Sequence, residues 1–490
     1  YSSDGYDLVD GDGQKTVDAF HNITSSIGFS YDMNKLGNIN LNYKFFKEDR
    51  DGTIFITSPG LENMSETNEN NISLKYQNNL SRSVSLNVDF YKTGYINKEE
   101  QIDQNNNLRN NNFDQNLNRL DIRFKHSTSA GSYYTIGFGY DNETLERTNI
   151  YIRPEHKSQF LYFQYDWNTK EKFNLVSGIR YDNHNKYSPQ ISPKVSFKYD
   201  LLDDLNIKGS FGYGYKTPDF RQLYLNFSNS TSGYIVLGTS VIDEVIAELQ
   251  KNNELTFYND FFTTDLTAEN SNSYNLGVQY YITPEIPLDI NLFRNNIYNL
   301  IETTVVGRKN NGQTIYSYSN VDKAFTHGTE IQIKWAPIKK LILESGYQLL
   351  YAKDHNAIEN FKAETVYARD PETKQSFLLS KGDYYGLYGR SRNQINLSIN
   401  YFMNQDKDNI KLRLNYRGKF ALIDSNNNSY LDKYDRFISD HVISNLSYTK
   451  SINKNISVHF LIKNILNYKD VENLLNNPGR RCSIRLTFNN

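Results

Sequence analysis

Apolar and polar residues alternate at period two, again and again, along the 490 residues of this chain. Val84, Leu86, Val88 and Phe90 are separated by Ser85, Asn87 and Asp89. Ile39, Leu41, Tyr43 and Phe45 alternate with Asn40, Asn42 and Lys44. Ile395, Leu397, Ile399 and Tyr401 do so with Asn396, Ser398 and Asn400, and Leu161, Phe163, Tyr165 and Trp167 form a further apolar set. Successive side chains of a strand point to opposite faces, so each segment has one apolar and one polar face. Two architectures accept such strands. A soluble sandwich or propeller hides the apolar face in a core. A membrane barrel turns it to lipid and keeps the polar face in the lumen.

The connections decide between them. Short polar turns, such as Asp32-Met33-Asn34-Lys35, Leu202-Asp203-Asp204 and Ser451-Ile452-Asn453-Lys454, alternate strictly with long connections. The long ones run roughly over 49–70, 93–116, 142–156, 216–270, 299–325, 353–391 and 420–436. Short turns on one rim and long loops on the other are what an outer-membrane barrel needs. The expected fold is therefore all-β, a large antiparallel transmembrane β-barrel with short periplasmic turns and long extracellular loops. About nineteen strands are expected, the first over roughly 19–31 and the last over 481–488. Single-chain bacterial barrels have even strand numbers, so strands are expected to precede residue 1.

Composition closes off other classes. No run approaches the ~18 apolar residues of a membrane helix. With 39 tyrosines and 28 phenylalanines the chain is too aromatic for disorder. Its apolar fraction of 38 % is below the ~45–50 % of globular chains, which suits strands that need no core. Lys+Arg 54 against Asp+Glu 56 gives a net charge of -2 with no basic run, so no nucleic-acid partner is expected. The single Cys482 excludes an internal disulfide and any cysteine-rich metal site. Tyr1-Ser2-Ser3-Asp4-Gly5 has neither the basic nor the apolar region of a signal peptide. No catalytic motif surrounds any of the eight histidines, and the glycines of 209–214 follow a strand pattern with no helix after it, so no enzyme is expected.

Four segments carry a resemblance. Gly209 to Tyr215 leads into Lys216-Thr217-Pro218, an aromatic-basic-small-Pro box. Leu266-Thr267-Ala268-Glu269 opens the next alternating run through Gly277. Tyr318-Ser319-Asn320 precedes Gly328-Thr329-Glu330. Lys463-Asn464-Ile465-Leu466-Asn467-Tyr468 is followed by Pro478-Gly479-Arg480-Arg481 and a final strand. In this order and spacing over 160–490 they resemble the TonB-dependent outer-membrane receptors. The resemblance implies a barrel of about 22 strands around a globular plug, bacterial outer-membrane localisation, and uptake of a scarce bulky nutrient. The foremost expectation is an iron complex, a ferric siderophore or haem, moved without covalent change. Implied partners are the TonB complex, the iron chelate, outer-membrane lipids and a surface lipoprotein. Nothing here resembles the plug, so residues 1–490 are expected to form a barrel domain lacking it and the first three strands. The alternatives are a passive or structural outer-membrane barrel, and an accessory barrel or adhesin in a larger surface complex.

Candidate residues follow. The loop 216–270 holds apolar stretches at Leu223 to Phe227 and Tyr234 to Leu237, and Val241 to Gln250 is expected to form a short helix. Many tyrosines are expected in girdles at the lipid boundaries. Tyr213, Tyr215, Tyr224, Tyr234, Tyr384, Tyr385 and Tyr388 are the candidates for ligand contact. Lys44, Asp89, Arg180, Lys334, Arg413 and Arg417 are expected on the polar lumen face. His156, His184 and His355 lie at or near outer loops and could ligate iron, but loop 216–270 has no histidine, and haem is not favoured over a siderophore. Asp424, Asn426, Asn428, Asp432 and Asp435 occupy positions 1, 3, 5, 9 and 12 of a calcium-type loop, with Tyr430 offering its carbonyl. That loop lacks the glycine at position 6 and the final glutamate, so a polar loop without an ion carries more weight. No cofactor is expected to be required, calcium in this outer loop being the one candidate.

Overall fold

Alternation becomes strand throughout the computed structural model, which is 69 % strand and 6 % helix. It describes residues 2–5, 18–54, 61–102, 108–128, 131–148, 153–168, 172–229, 234–259, 262–310, 312–370, 372–403, 408–422, 428, 430–470, 474, 477 and 479–488. The chain divides into two units: residues 1–195, 213–270 and 299–321, and residues 196–212, 271–298 and 322–490.

The first unit is an antiparallel meander. Ala19–Asp32 pairs with Asn38–Ile54, which pairs in turn with Leu61–Asn79. Val84–Ile102, Leu108–Ser127, Tyr133–Arg147, Glu155–Asn168 and Phe173–His184 follow in the same neighbour-to-neighbour order. Its first turn shows how tightly one rim is closed. The Asp32 carboxylate accepts from the Asn34 N–H at 2.8 Å, and Asn34 takes a left-handed φ of 55°. Gly37 has φ 91°, and a Cβ there would stand 2.2 Å from the Gln77 carbonyl, so only glycine fits.

In the second unit, Thr314–Ile338 pairs from Ala324 onward with Leu341–Asp354. Asn393–Met403, Asp408–Arg417, His441–Ser451, Ile456–Lys463 and Arg481–Phe488 continue the ladder. The expected first and last strands are found as Ala19–Asp32 and Arg481–Phe488.

Several expected long loops are ladder instead. Asn38–Ile54 and Leu61–Asn79 stay paired to Ile54↔Leu61, and Val84–Ile102 with Leu108–Ser127 to Ile102↔Leu108. The stretches expected as loops, 49–70 and 93–116, therefore belong mostly to tall hairpins. Their sequences lose alternation because polar residues occupy both faces. Lys47 Nζ lies 3.2 Å from Glu66, and Asn97 donates to Thr67 at 3.0 Å. Backbone pairing continues where the hydrophobic signal stops.

Each unit's alternating strands expose their apolar rows. Ile27 is 70 % exposed, Leu161 53 % and Ile484 69 %. The buried apolar clusters lie in the connections between strands and at the strand ends beside them. A sandwich would show the reverse, because burying such rows is what holds it together. The opposite face is polar and internally paired. Asp89 bonds Arg123. Arg180 forks onto Asp182 at 2.7 Å and lies 3.8 Å from the Phe160 ring centroid. In the second unit Lys334 lies 3.6 Å from Glu344, and Gln332, Lys334, Asn396 and Arg413 line a cavity of about 670 Å³.

Phe163 points with the exposed row and its neighbour Gln164 to the polar face. Phe163→Arg is expected to cost about 2–4 kcal/mol in a bilayer, and Gln164→Arg to stay within about 0.5 kcal/mol. Denaturant unfolding in phospholipid vesicles checks this; equal costs would contradict the assignment of faces.

Candidate ligand-binding surface

The long connection after Leu205–Lys216 folds into a small structure of its own in the first unit. Pro218 is fully buried. Asp219 caps helix α1 (Phe220–Tyr224) by a reciprocal box: its carboxylate accepts from the Gln222 N–H at 2.8 Å, and its N–H donates to Gln222 Oε1 at 2.9 Å. Asn226–Asn229 pairs antiparallel with Tyr234–Leu237, whose Tyr234 to Val236 run parallel to Thr314 to Tyr316. Helix α2 (Ile242–Lys251) buries Ile242, Ile246 and Leu249, spaced four and three apart, against Ile235, Leu237, Val306 and Ile315. The helix expected over 241–250 is this one. Leu223, Leu266, Ile301 and Tyr318 form a second small core beneath α1.

The segments that carry the family resemblance clamp the base of this loop. Lys216 Nζ donates to Glu269 Oε2 at 3.0 Å, and Glu269 Oε1 accepts from the Ile301 N–H at 2.8 Å. The first and second boxes are thus joined by an ion pair across the loop's two ends. Asn320, from the third box, accepts from the Thr267 N–H at 2.8 Å and donates to the carbonyls of Thr267 at 3.0 Å and Asn299 at 2.7 Å. Within the second unit a Cβ at Gly328 would meet the Leu349 carbonyl at 1.9 Å, so the glycine is fixed by close backbone approach. Glu330 accepts there from Gln348 at 2.9 Å and Asn291 at 3.4 Å. The fourth box builds a turn: Asn464, at φ 51°, donates to the Tyr468 carbonyl at 2.8 Å and accepts its N–H at 3.0 Å, and the Arg480 N–H bonds Asn467 Oδ1 at 2.9 Å. Pro478 lies outside the described residues.

Beside α1, the rings of His156 and His184 lie 5.0 Å apart and Phe220 covers His156 at 4.3 Å. His156 sits past the lipid-facing row that begins at Leu161. Burial, then the nearby His184 and Lys186, lower its pKa to about 3, so the ring is neutral. His184 Nδ1 accepts from the Lys186 N–H at 3.1 Å. Among the described residues no group of three or more His, Cys, Asp or Glu is placed to hold a metal.

In the second unit, Asp354 caps helix α3 (His355–Lys362), its carboxylate accepting from the Ala357 N–H at 3.0 Å. Ala357, Ile358 and Phe361 pack under Tyr384, and Phe361 meets Tyr430 edge-on at 5.3 Å. Tyr385 donates to the Lys419 carbonyl at 2.7 Å, and its ring meets Phe437 at 4.7 Å. Cations lie over these aromatics: Lys419 Nζ is 5.0 Å from the Phe437 centroid, and Arg417 is 3.6 Å from that of Phe420. The described residues of 355–392 and 418–440 therefore form one folded, basic and aromatic surface. Nothing in either stretch alone signals that they meet.

The seven candidate tyrosines fall in different settings. Tyr213 reaches Gln190, Tyr215 donates to the Ser188 carbonyl and Tyr224 accepts from Lys186 Nζ at 2.6 Å. Tyr234 packs edge-on to Tyr316. Tyr384 is 3 % exposed, its hydroxyl accepts from the Asp354 N–H, and burial pushes its phenol up to about 12. It braces α3. Tyr385 is half-buried and Tyr388 exposed. Of the calcium-type loop, Asp424 and Asn426 lie outside the described residues. Asp432 is fully buried and accepts from Asn428 and from the Tyr434 N–H, and Asp435 accepts from the Asp432 N–H at 2.7 Å.

The family described as TonB dependent receptor-like, beta-barrel matches residues 2–465. The Ferrienterobactin receptor of Escherichia coli (strain K12) is 25 % identical over 174 residues, 34 % of this chain and 21 % of that protein. The Probable TonB-dependent siderophore receptor PirA of Acinetobacter baumannii is 25 % identical over 228 residues, 43 % of this chain and 28 % of that one. The chain thus spans less than a third of each of these curated relatives. A crystal structure of a ferric enterobactin receptor variant from Pseudomonas aeruginosa superposes with a TM-score of 0.67 at 14 % identity, covering 98 % of this chain and 71 % of that one. The copper transporter OprC superposes with a TM-score of 0.70 at 11 % identity, covering 100 % and 74 %. These structural likenesses establish the fold.

Asn320→Ala removes the bonds that hold Thr267. The loop base is expected to lose about 1–2 kcal/mol, seen as faster protease cleavage within 217–268 with an intact strand signature by circular dichroism. Unchanged cleavage would contradict the clamp.

Proposed function

This chain belongs to the TonB-dependent receptor β-barrel family of the bacterial outer membrane, and on that footing we propose that it takes up an anionic iron chelate of the ferric siderophore class. The supporting observation is the surface built by the outer segments of the second unit. Tyr385, Phe437 and Phe420 lie under Lys419 and Arg417, and Arg390 is close enough for its charge to act on Arg417. Lys419 over the half-buried rings of Tyr385 and Phe437 suits a flat, negatively charged, aromatic chelate. The low-identity relatives named for siderophores support the same class.

In this reading the outer loops capture the chelate and TonB supplies the energy through a plug formed by polypeptide other than these residues. The barrel and its loops move the ligand without changing it covalently. Tyr385 and Tyr388, with Lys419, Arg417 and Arg390, are the residues assigned to ligand contact. Tyr213 and Tyr215, at the end of strand Leu205–Lys216, and Tyr224 and Tyr234, in the connection that follows it, are assigned to a second contact surface in the first unit. Asp432 and Asp435 hold the loop beside Tyr430 by hydrogen bonds.

The test is whole-cell uptake of iron-55 presented as ferric enterobactin, a ferric hydroxamate or haem, with and without the gene and with and without TonB. TonB-dependent uptake of one siderophore class is expected. The paired change Lys419→Ala and Arg390→Ala is expected to weaken binding roughly tenfold or more, at about 1.4 kcal/mol per decade. Uptake that ignores TonB would replace this reading with a passive barrel.

A further inference from the structure

Along the polar face of the second unit, side chains pair with one another in successive rows, and at one level that pairing stops. Toward the loops, Gln394 donates to Gln348 at 3.4 Å, Gln348 donates to Glu330 at 2.9 Å, and Asn291 donates to the other Glu330 oxygen at 3.4 Å. Toward the opposite end, Asn409 donates to Asn400 at 3.0 Å. Between these rows lies the cavity of about 670 Å³. Its two carboxylates are already engaged: Glu344 lies 3.6 Å from Lys334, and Asp289 lies 3.2 Å from Lys208. Gln332, Asn396, Ser398, Arg413 and Asn415 also line it, and none of them makes a side-chain hydrogen bond or ion pair among the described residues. The Ser398 Oγ is buried as well.

The register sets these groups around a dent in the sheet. Gly346 stands opposite Gln332 on one side and Asn396 on the other, and Asn396 stands opposite Asn415. In the adjacent row Ser398 stands between Glu344 and Arg413. Ile333, Ile395 and Ile410, on the other face of the same strands, belong to the exposed apolar rows. Strands are about 4.8 Å apart, so the floor from Gly346 to Asn415 is about 10 Å wide. A Cβ built on Gly346 would meet nothing nearer than the Ile331 carbonyl at 4.0 Å, and its φ is not left-handed. Neither packing among the described residues nor backbone geometry calls for glycine there. A glycine inside a regular strand weakens it and marks a place of close approach from outside the sheet.

We propose that this cavity binds a small hydroxylated carboxylate. Of the two cations in its wall, Lys334 faces Glu344 and Arg413 faces no carboxylate among the described residues. The Arg413 guanidinium takes both oxygens of the ligand's carboxylate through its planar fork. The amides of Gln332, Asn396 and Asn415 and the Ser398 hydroxyl each donate and accept, which is what ligand hydroxyls require of their partners. Gly346 lets the ligand's carbon chain lie against the strand. Arg413 is four residues, about 13 Å, from Arg417 along its strand, so the site is separate from the surface of Tyr385, Phe437 and Lys419 assigned to the iron chelate.

The purified full chain in detergent micelles is titrated calorimetrically with three six-carbon probes. Gluconate carries a carboxylate and hydroxyls, hexanoate the carboxylate alone and sorbitol the hydroxyls alone. Gluconate is expected to bind saturably, and hexanoate and sorbitol about tenfold more weakly or less. Arg413→Gln is expected to weaken gluconate binding about tenfold or more, and Asn396→Ala with Asn415→Ala to bring it down to the level of hexanoate. Gly346→Leu fills the floor of the dent and is expected to abolish binding. Because a Cβ there has free space, its unfolding temperature is expected to be no lower than that of the wild type, so loss of fold does not mimic loss of binding. Lys411→Gln removes a cation from the same strand outside the cavity wall and is expected to bind gluconate as the wild type does. A blocked aspartate, N-acetyl-aspartate amide, offers the carboxylate in peptide form. Binding it as tightly as gluconate would assign the cavity to a polypeptide side chain and overturn the proposal. No saturable heat with gluconate, equal binding of hexanoate, or undiminished binding by Arg413→Gln or Gly346→Leu would overturn it too. The titration contains neither iron nor TonB, so its failure and that of the uptake reading are distinguishable.

Discussion

A backbone N–H or C=O in hydrocarbon has no water to bond, and every other feature of this protein follows from meeting that demand with neighbouring strands. The long ladders of both units satisfy the backbone without help from a core. The alternating rows are then free to turn their apolar side outward. That explains why Ile27, Leu161 and Ile484 are exposed while small, fully buried clusters form around Leu237, Phe361 and Tyr318 in the connections and at the strand ends beside them. The molecule places its dry cores where a soluble β protein would place its loops.

The loops are correspondingly well built. Lys216, Glu269, Asn320, Gly328 and Asn464 are among the residues by which the sequence resembles its family; Lys216, Glu269, Asn320 and Asn464 make their bonds where strands meet loops, and Gly328 allows close backbone approach within Thr314–Ile338. Between the clamps lie groupings such as Tyr385 with Phe437 and Lys419, which the proposed function assigns to ligand contact. The fold is shared over the whole chain at identities of 11–14 %.

Strands were legible wherever one face meets lipid and the other water, because only that asymmetry writes period two into a sequence. Ala19–Asp32 and Arg481–Phe488 were read to within a residue for this reason. The hairpins beyond the lipid zone were not, since Lys47, Glu66, Asn97 and Thr67 are polar on whichever face they occupy. Helix α2 was legible through Ile242, Ile246 and Leu249 at helical spacing. The joining of 355–392 to 418–440 was not, because Phe361 with Tyr430 and Tyr385 with Phe437 are contacts between distant segments with no local pattern. Tyr384 looked like a surface aromatic beside Tyr385, and the fold makes it a buried brace.

The outward direction of the apolar rows is open to a direct reading because the chain has only two tryptophans, Trp167 and Trp335, and both lie in those rows. The protein would be reconstituted into vesicles of phosphatidylcholine brominated at the 6 and 7 positions of one acyl chain, and its tryptophan fluorescence compared with that in unbrominated vesicles. Strong quenching by the brominated lipid, with little quenching by aqueous iodide, is the predicted result. Emission untouched by bromine would mean that these rows do not face acyl chains, and the account would fail.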